Sequence, residues 1–374
     1  TKNKTPEELE EEIDLLGAMI RVSADDEEIT VSVNTLARNF EKTLAIVEEM
    51  LLEPRWDSLA FEINRTRVLN GLRRSSIDPT YLGSMALTRL TLGSDNILAT
   101  DVSGTTESVQ NMTMDDIKAF YEKNISPSVA RFLVVGSIDQ ARIETALAAL
   151  GTNWQAKEVQ MPAIAFAPAP ENPAVYFVDV PGAKQSNLYI GAPAIPRGHP
   201  DYYSAFVANY KLGGSFNGYV NLVLREEKGY TYGARTSLIG QKNFGAFVAS
   251  SAVRSTATLE SAEIFRDLMA KYRSGVSQSD VDFTRDALLK GNALQFETQR
   301  ALLGMLNTMS AYGLPDDYIS REENYVRNLS VEEVNAMVQK YIDPMKMYYV
   351  VAGDAATQLK ELKKLGFGEP VLVK

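Results

Sequence analysis

Two hydrophobic periods alternate along the chain. A period of two picks out AMIRVSA (18–24) and EITVSVNTL (28–36), which read as a hairpin around Asp25–Glu28. The helical period follows, predicting helices over about 38–52, 57–76 and 80–92. The order then repeats. AVYFVDV and SNLYIGA read as strands, followed by helices over about 200–211 and 217–228. TYGARTSLI and GAFVASSAV form a second hairpin, and long helices are predicted over about 255–272 and 278–312. Strands grouped with helices in this way predict an α+β fold in which one face of a mainly antiparallel sheet is covered by helices.

The repetition extends to the residues themselves. TMDDIKAFYEKNISPSVARFLVVG (Thr113–Gly136) aligns without a gap on SVEEVNAMVQKYIDPMKMYYVVAG (Ser330–Gly353), at an offset of 217. Each copy reads as an N-cap, an acidic first turn, an amphipathic helix, a Pro-containing turn and a buried strand ending at Gly. A further helix follows in each, Asp139–Leu150 and Ala356–Leu365. The second copy opens at Ala174, so the first is expected to open about forty residues before Thr1. The reading is therefore of two homologous domains, 1–158 and 172–374, joined by an extended Pro- and Ala-rich linker at 159–171, with the first domain N-terminally incomplete.

Composition narrows the function. The net charge is −10, and residues 1–30 carry ten acids against Lys2, Lys4 and Arg21, so no basic surface for nucleic acid is expected. No apolar run is long enough to span a bilayer. There is no cysteine, which removes disulfides, thiolate metal sites and cysteine nucleophiles. The single histidine, His199, stands beside Pro200 ahead of a helix and reads as a loop or capping group. A zinc motif with two histidines cannot be built within these residues.

The stretch Val178–Ala234 is the most specific. PGAKQS (181–186), HPDYY (199–203), LGGSFNG (212–218) and LREEKGYTYGA (224–234) resemble, in order and spacing, the second domain of the insulinase/pitrilysin-like zinc metallopeptidases, the inverzincins. Asp78-Pro79, Gly104-Thr105 and MTMDDIKAFY resemble their first domain. A phosphate-cradling loop is the rival reading of LGGSFNG, but the segment follows a helix and lacks G-K-[ST]. Without the resemblance, Gly213-Gly214 permits a tight corner, Gly229 suits a left-handed helix end after LREEK, and alternation places Tyr230, Tyr232 and Ala234 on one strand face.

The resemblance implies a chemistry that this chain only half carries. Active members bind zinc through H-x-x-E-H and a distant carboxylate, on a helix similar to FEINRTRVLNGLRR (Phe61–Arg74). There the paired glutamates fall on Asn64 and Gly71, leaving Glu62 as an isolated carboxylate. No metal site is expected here. A second-domain Arg and a Tyr seven residues later, matching Arg225 and Tyr232, would reach a partner's zinc site. The resemblance thus implies a non-catalytic half in which Arg225 and Tyr232 assist catalysis. Arg225, Tyr232, Gly213 and Gly214 would bind peptide substrate, and zinc would sit in a partner half bearing H-x-x-E-H, on another chain or on the same longer polypeptide. By analogy with paired members, a bacterial periplasm or cell envelope is the expected location. The alternative is a purely structural assembly module of the same fold.

Overall fold

The protein is described here by a computed structural model covering residues 1–162, 164, 166–292 and 296–373. Contacts divide it into two units: Thr1–Arg73 with Asp101–Ala163, and Arg74–Thr100 with Ile164–Lys374. The expected linker region, 159–171, falls at the third crossing between units, after Ala163. The segment 74–100, however, is assigned to the second unit although it lies within the first domain of the sequence reading.

The first unit opens with α1 (Pro6–Leu15), whose Thr5 and Glu8 form a capping box, followed by β1 (Met19–Ala24) and β2 (Ile29–Asn34) in an antiparallel pair. Helices α2 (Phe40–Leu52) and α3 (Ser58–Ser75) follow at the predicted places. The next helix, α4 (Pro79–Leu92), belongs to the second unit. The chain then returns through α5 (Thr106–Asn111), α6 (Met114–Asn124) and α7 (Gln140–Asn153).

The second unit holds β3 (Ala174–Asp179), β4 (Gln185–Ala194), α8 (Tyr202–Asn209), the short α9 (Tyr219–Asn221), β5 (Thr231–Gly240) and β6 (Gly245–Arg254). After them come α10 (Thr258–Ser274), α11 (Gln278–Asn292), α12 (Gln299–Tyr312), α13 (Tyr318–Arg327), α14 (Val331–Tyr341), β7 (Tyr348–Gly353), α15 (Ala355–Gln358) and β8 (Val371–Val373). The helix predicted over 278–312 is thus two helices, with residues 293–295 outside the described set and Thr298 capping α12 by accepting from the Ala301 amide at 3.1 Å.

The six strands of this unit run in the order β5-β6-β4-β7-β3-β8. The pairs from β5 to β7 are antiparallel, and β3 lies parallel to both β7 and β8. The fold is the expected α+β type with a mainly antiparallel sheet. One face carries the main core, where Phe177, Leu188, Ile190, Phe247, Tyr349 and Val351 meet apolar residues of α8, α10 and α14 such as Val207, Phe265 and Val338. The other face is not bare. Helix α4 sets Ala86 and Leu87 against Val178, Val350 and Ala352. Gly83 makes that approach possible, because a Cβ there would lie 2.9 Å from the Tyr189 ring.

The 217-residue offset survives as geometry. Thr113 and Ser330 each close a capping box, with Asp116 and Glu333 respectively. Pro127–Val129 and Pro344–Lys346 are both single 3₁₀ turns. The copies part at the next step. The predicted strand after Pro344 forms as β7, flanked by β3 and β4, whereas the one after Pro127 (131–136) pairs with no strand among the described residues. A strand needs neighbours to satisfy its amides and carbonyls, and the first unit provides none in register here.

Candidate functional site

The expected site residues lie in the segment from α8 to β5, inside the second unit. His199 opens it. Its Nδ1 accepts the Asp201 amide at 3.1 Å, so it tightens the turn before α8, as its place beside Pro200 predicts. Helix α8 then widens into a π-helical turn over Tyr210–Gly214, and α9 into another over Leu222–Glu227. Such widened turns recur at functional sites because they redirect the side chains that follow. The periodicity gave no sign of them.

Gly213 and Gly214 do different things. Gly213 is buried, and a Cβ on it would lie 2.6 Å from both the amide nitrogen and Oγ1 of Thr236. Its smallness therefore has a packing reason, the close approach of the LGGSFNG turn to β5. Gly218 meets Gly213 in the same corner, where a Cβ would lie 2.7 Å from the Gly213 Cα. Gly214 is exposed, and a Cβ there would be 3.3 Å from the Asn209 side chain.

Two buried asparagines fasten this turn to β5. Asn209 donates to the Thr236 carbonyl (3.0 Å) and accepts from the Thr236 hydroxyl (2.6 Å). Asn221 donates to the Phe216 carbonyl (2.8 Å) and accepts the Ala234 amide (3.1 Å). On the outer side, the Tyr219 hydroxyl donates to Asp280 of α11. Lys211 donates to the Asn217 carbonyl at 3.0 Å, with its ammonium 4.1 Å from the centre of the Phe283 ring. Burial raises the Tyr219 pKa to about 12, with the Asp280 hydrogen bond and charge adding to it. For Asp280 itself, burial pushes the carboxyl up, but hydrogen bonds from Tyr219 and Ser277 and the Lys211 charge outweigh it and hold the pKa below the usual range. None of these supports was singled out from the sequence. An Asn or Asp at an ordinary helical position gives no signal until its partner strand is in place.

Arg225 projects from the second π-helical turn. Its guanidinium lies 4.6 Å from the centre of the Phe216 ring, and its Nε is 3.3 Å from Glu226. The turn closes at Gly229, which has φ +64 as its place after LREEK predicts. Beyond it, β5 opens with a bulge. Thr231 pairs with Val253 and Ala234 with Ser251, so Tyr232 and Gly233 together face the single residue Ala252. The Thr231 hydroxyl donates to the Ala252 carbonyl (2.7 Å) and accepts the Gly233 amide (3.0 Å), while the Ser251 hydroxyl donates to the Gly233 carbonyl (3.0 Å). This bulge overturns the expectation that Tyr230, Tyr232 and Ala234 share one strand face. Ala234 turns into the core at 6% exposure, Tyr230 bonds to Glu260 before the strand begins, and Tyr232 is 92% exposed. Among the described residues the Tyr232 hydroxyl has no hydrogen-bond partner.

The helix that would supply a metal ligand is α3, in the first unit. Asn64 accepts from Arg67 (2.8 Å), Glu62 is ion-paired with Arg65 (2.6 Å), and the space beside Gly71 is open. Among the described residues no three His, Cys, Asp or Glu side chains come together as a metal could use them. Zinc does not fit this donor set, because it asks for three imidazole or carboxylate ligands and α3 offers one carboxylate already held by an arginine.

Residues 111–288 match the family model described as the peptidase M16 inactive domain. A "non-peptidase homolog YmxG" of Helicobacter pylori is 23% identical over 345 residues, covering 90% of this chain and 77% of that protein. Among solved structures, a peptidase M16 inactive domain from Pseudomonas fluorescens superposes with a TM-score of 0.87 at 22% identity, covering 95% of this chain and 85% of that one. The periplasmic protease PqqL from Escherichia coli gives 0.72 at 15% identity, and there the match covers 93% of this chain but 38% of PqqL. The inactive-domain match over just under half of the chain and the non-peptidase homologue agree in making this chain similar to non-catalytic members of the M16, insulinase/pitrilysin-like peptidases, whose fold it shares.

Proposed function

We propose that this chain is the assisting half of a zinc peptidase, holding a peptide substrate against a partner half that carries H-x-x-E-H. The observation that carries the proposal is the state of Tyr232. A tyrosine left 92% exposed on a bulge locked by Thr231 and Ser251, with its hydroxyl unbonded, has no use in the fold of its own unit. Arg225 supports the same reading, since its ring contact with Phe216 orients the guanidinium while, among the described residues, its outer N–H groups make no hydrogen bond. A phenol and a guanidinium are suitable donors for a peptide carbonyl and for the oxyanion that develops from it. Gly214 would leave room for the peptide backbone beside them. The long relative PqqL, of which this chain matches about two fifths, is consistent with halves joined in one polypeptide and with a periplasmic setting.

The test is steady-state cleavage of a fluorogenic peptide by the chain reconstituted with its H-x-x-E-H partner half. Tyr232→Phe keeps the ring and removes the donor, and is expected to lower turnover by about 10²-fold at unchanged melting temperature. Arg225→Ala is expected to raise KM as well. Wild-type rates for both variants, with the pair assembled, would overturn the proposal and leave a structural assembly module.

A further inference from the structure

We infer, resting on the assisting role proposed for Tyr232, that Thr231 and Ser251 are positioning residues: their hydroxyls hold the start of β5 in its bulged form and so aim the phenol away from the core. Tyr232 is 92% exposed. A ring so exposed is not held by packing, so its direction is set by the backbone beneath it. That direction matters because a donor to a developing oxyanion works only when held within about 0.5 Å of the productive geometry.

The backbone there is fixed from both ends. Upstream, Tyr230 donates its amide to the Leu224 carbonyl (2.9 Å) and accepts the Arg254 amide at its own carbonyl (3.1 Å). Its hydroxyl donates to Glu260 (2.6 Å), and the Arg254 guanidinium lies 4.7 Å from the centre of its ring. Downstream, Ala234 stands opposite Ser251 and donates its amide to Asn221 (3.1 Å). Between these anchors Thr231–Ala234 must span what β6 covers with Val253, Ala252 and Ser251. One residue is surplus, and it is taken up at Tyr232 and Gly233. A regular strand would put Tyr232 on the face of Ala234, toward the core.

The bulge takes backbone groups of Gly233 and Ala252 out of the ladder, and two hydroxyls replace the lost partners. Thr231 serves the Ala252 carbonyl and the Gly233 amide, and Ser251 serves the Gly233 carbonyl. Ser251 is the more telling of the two. Period two along β6 sets it on the core face with Phe247 (1% exposed), Ala249 (0%) and Val253 (0%), and it is itself 6% exposed. A hydroxyl in such an apolar row is destabilising unless bonded, and the bond it makes is to the bulge. The pair thus favours the bulged form over a regular strand, which would offer neither hydroxyl the same partners.

The experiment is a double-mutant cycle in the reconstituted pair, read as kcat and KM for a fluorogenic peptide. Thr231→Val keeps the side-chain shape and removes the hydroxyl. With Tyr232 present it is expected to lower kcat about 10-fold at nearly unchanged KM, whereas Thr231→Ser, which keeps the hydroxyl, should retain the wild-type rate. In the Tyr232→Phe background Thr231→Val should have almost no further effect, because the donor it positions is gone. Ser251→Ala, an independent removal of a Gly233 contact, should follow the same pattern. In the chain alone, Thr231→Val should speed exchange of the Gly233 amide about 10-fold, while the Ala234 amide, held by Asn221, keeps its protection and reports an intact fold. Equal losses in both backgrounds would mark a merely structural role and overturn the inference, as would a wild-type kcat for Thr231→Val or unchanged exchange at Gly233. The assisting role itself fails separately, if Tyr232→Phe alone keeps the wild-type rate, and the positioning role then falls with it.

Discussion

Asp280 is the anchor whose removal should say most about how the candidate site is held. Asp280 is 6% exposed, and its carboxylate accepts from the Tyr219 hydroxyl, the Ser277 amide (2.9 Å) and the Ser277 hydroxyl (2.8 Å). It thus ties the start of α11 to the residue at which the LGGSFNG turn becomes α9 and leads to Arg225. Hydrogen bonds to a charged acceptor contribute about 1.5–3 kcal/mol each, and deleting the acceptor leaves donors unsatisfied. Because Ser277 can turn to water, the net loss for Asp280→Ala at pH 7 is expected to be about 3 kcal/mol. The dependence on pH has a definite sign. The folded pKa lies below the unfolded value, so the carboxylate's contribution is fully present above the ordinary Asp pKa of about 3.9 and is lost as pH falls through the folded value. The difference between wild type and Asp280→Ala should therefore be constant from about pH 7 to 5 and shrink below about pH 4. Urea unfolding followed by circular dichroism, with hydrogen exchange of the β5–β6 amides as a local reporter, measures both. A loss under about 0.5 kcal/mol at pH 7 would refute the anchor, and so would a difference that does not shrink in acid.

Three further outcomes follow from the same structure. Gly213→Ala places a methyl 2.6 Å from Thr236 and should destabilise the second unit by about 2 kcal/mol or more, whereas Gly214→Ala should stay within about 1 kcal/mol; equal effects in urea melts would refute the packing role given to Gly213. Thr113→Ala and Ser330→Ala each remove a capping box and should each lower stability by about 1 kcal/mol, measurable as the loss of protection in α6 and α14. Dialysed protein should contain no stoichiometric zinc by metal analysis, since no three His, Cys, Asp or Glu side chains come together among the described residues and Asn64 and Gly71 stand where the family resemblance implies carboxylates; one tightly held zinc per chain would contradict that.

The sequence alone determined the parts of this protein that depend on near neighbours. Capping boxes at Thr113 and Ser330, the left-handed Gly229 and the turn at His199 are each settled within a few residues, where backbone sterics and local hydrogen bonds decide. The offset of 217 and the Asn and Gly at positions 64 and 71 were likewise legible, because they are statements about residue identity. The tertiary structure decided whatever depends on a partner distant in the chain. It alone assigned α4 to the second sheet, through the fit of Gly83 against Tyr189. The bulge that turns Tyr232 outward exists only because β6 supplies one residue opposite two, a count that no periodicity within β5 contains. The absence of a strand at 131–136 has the same cause: FLVV has the propensity, but a strand is made by its neighbours, and among the described residues no strand pairs with it.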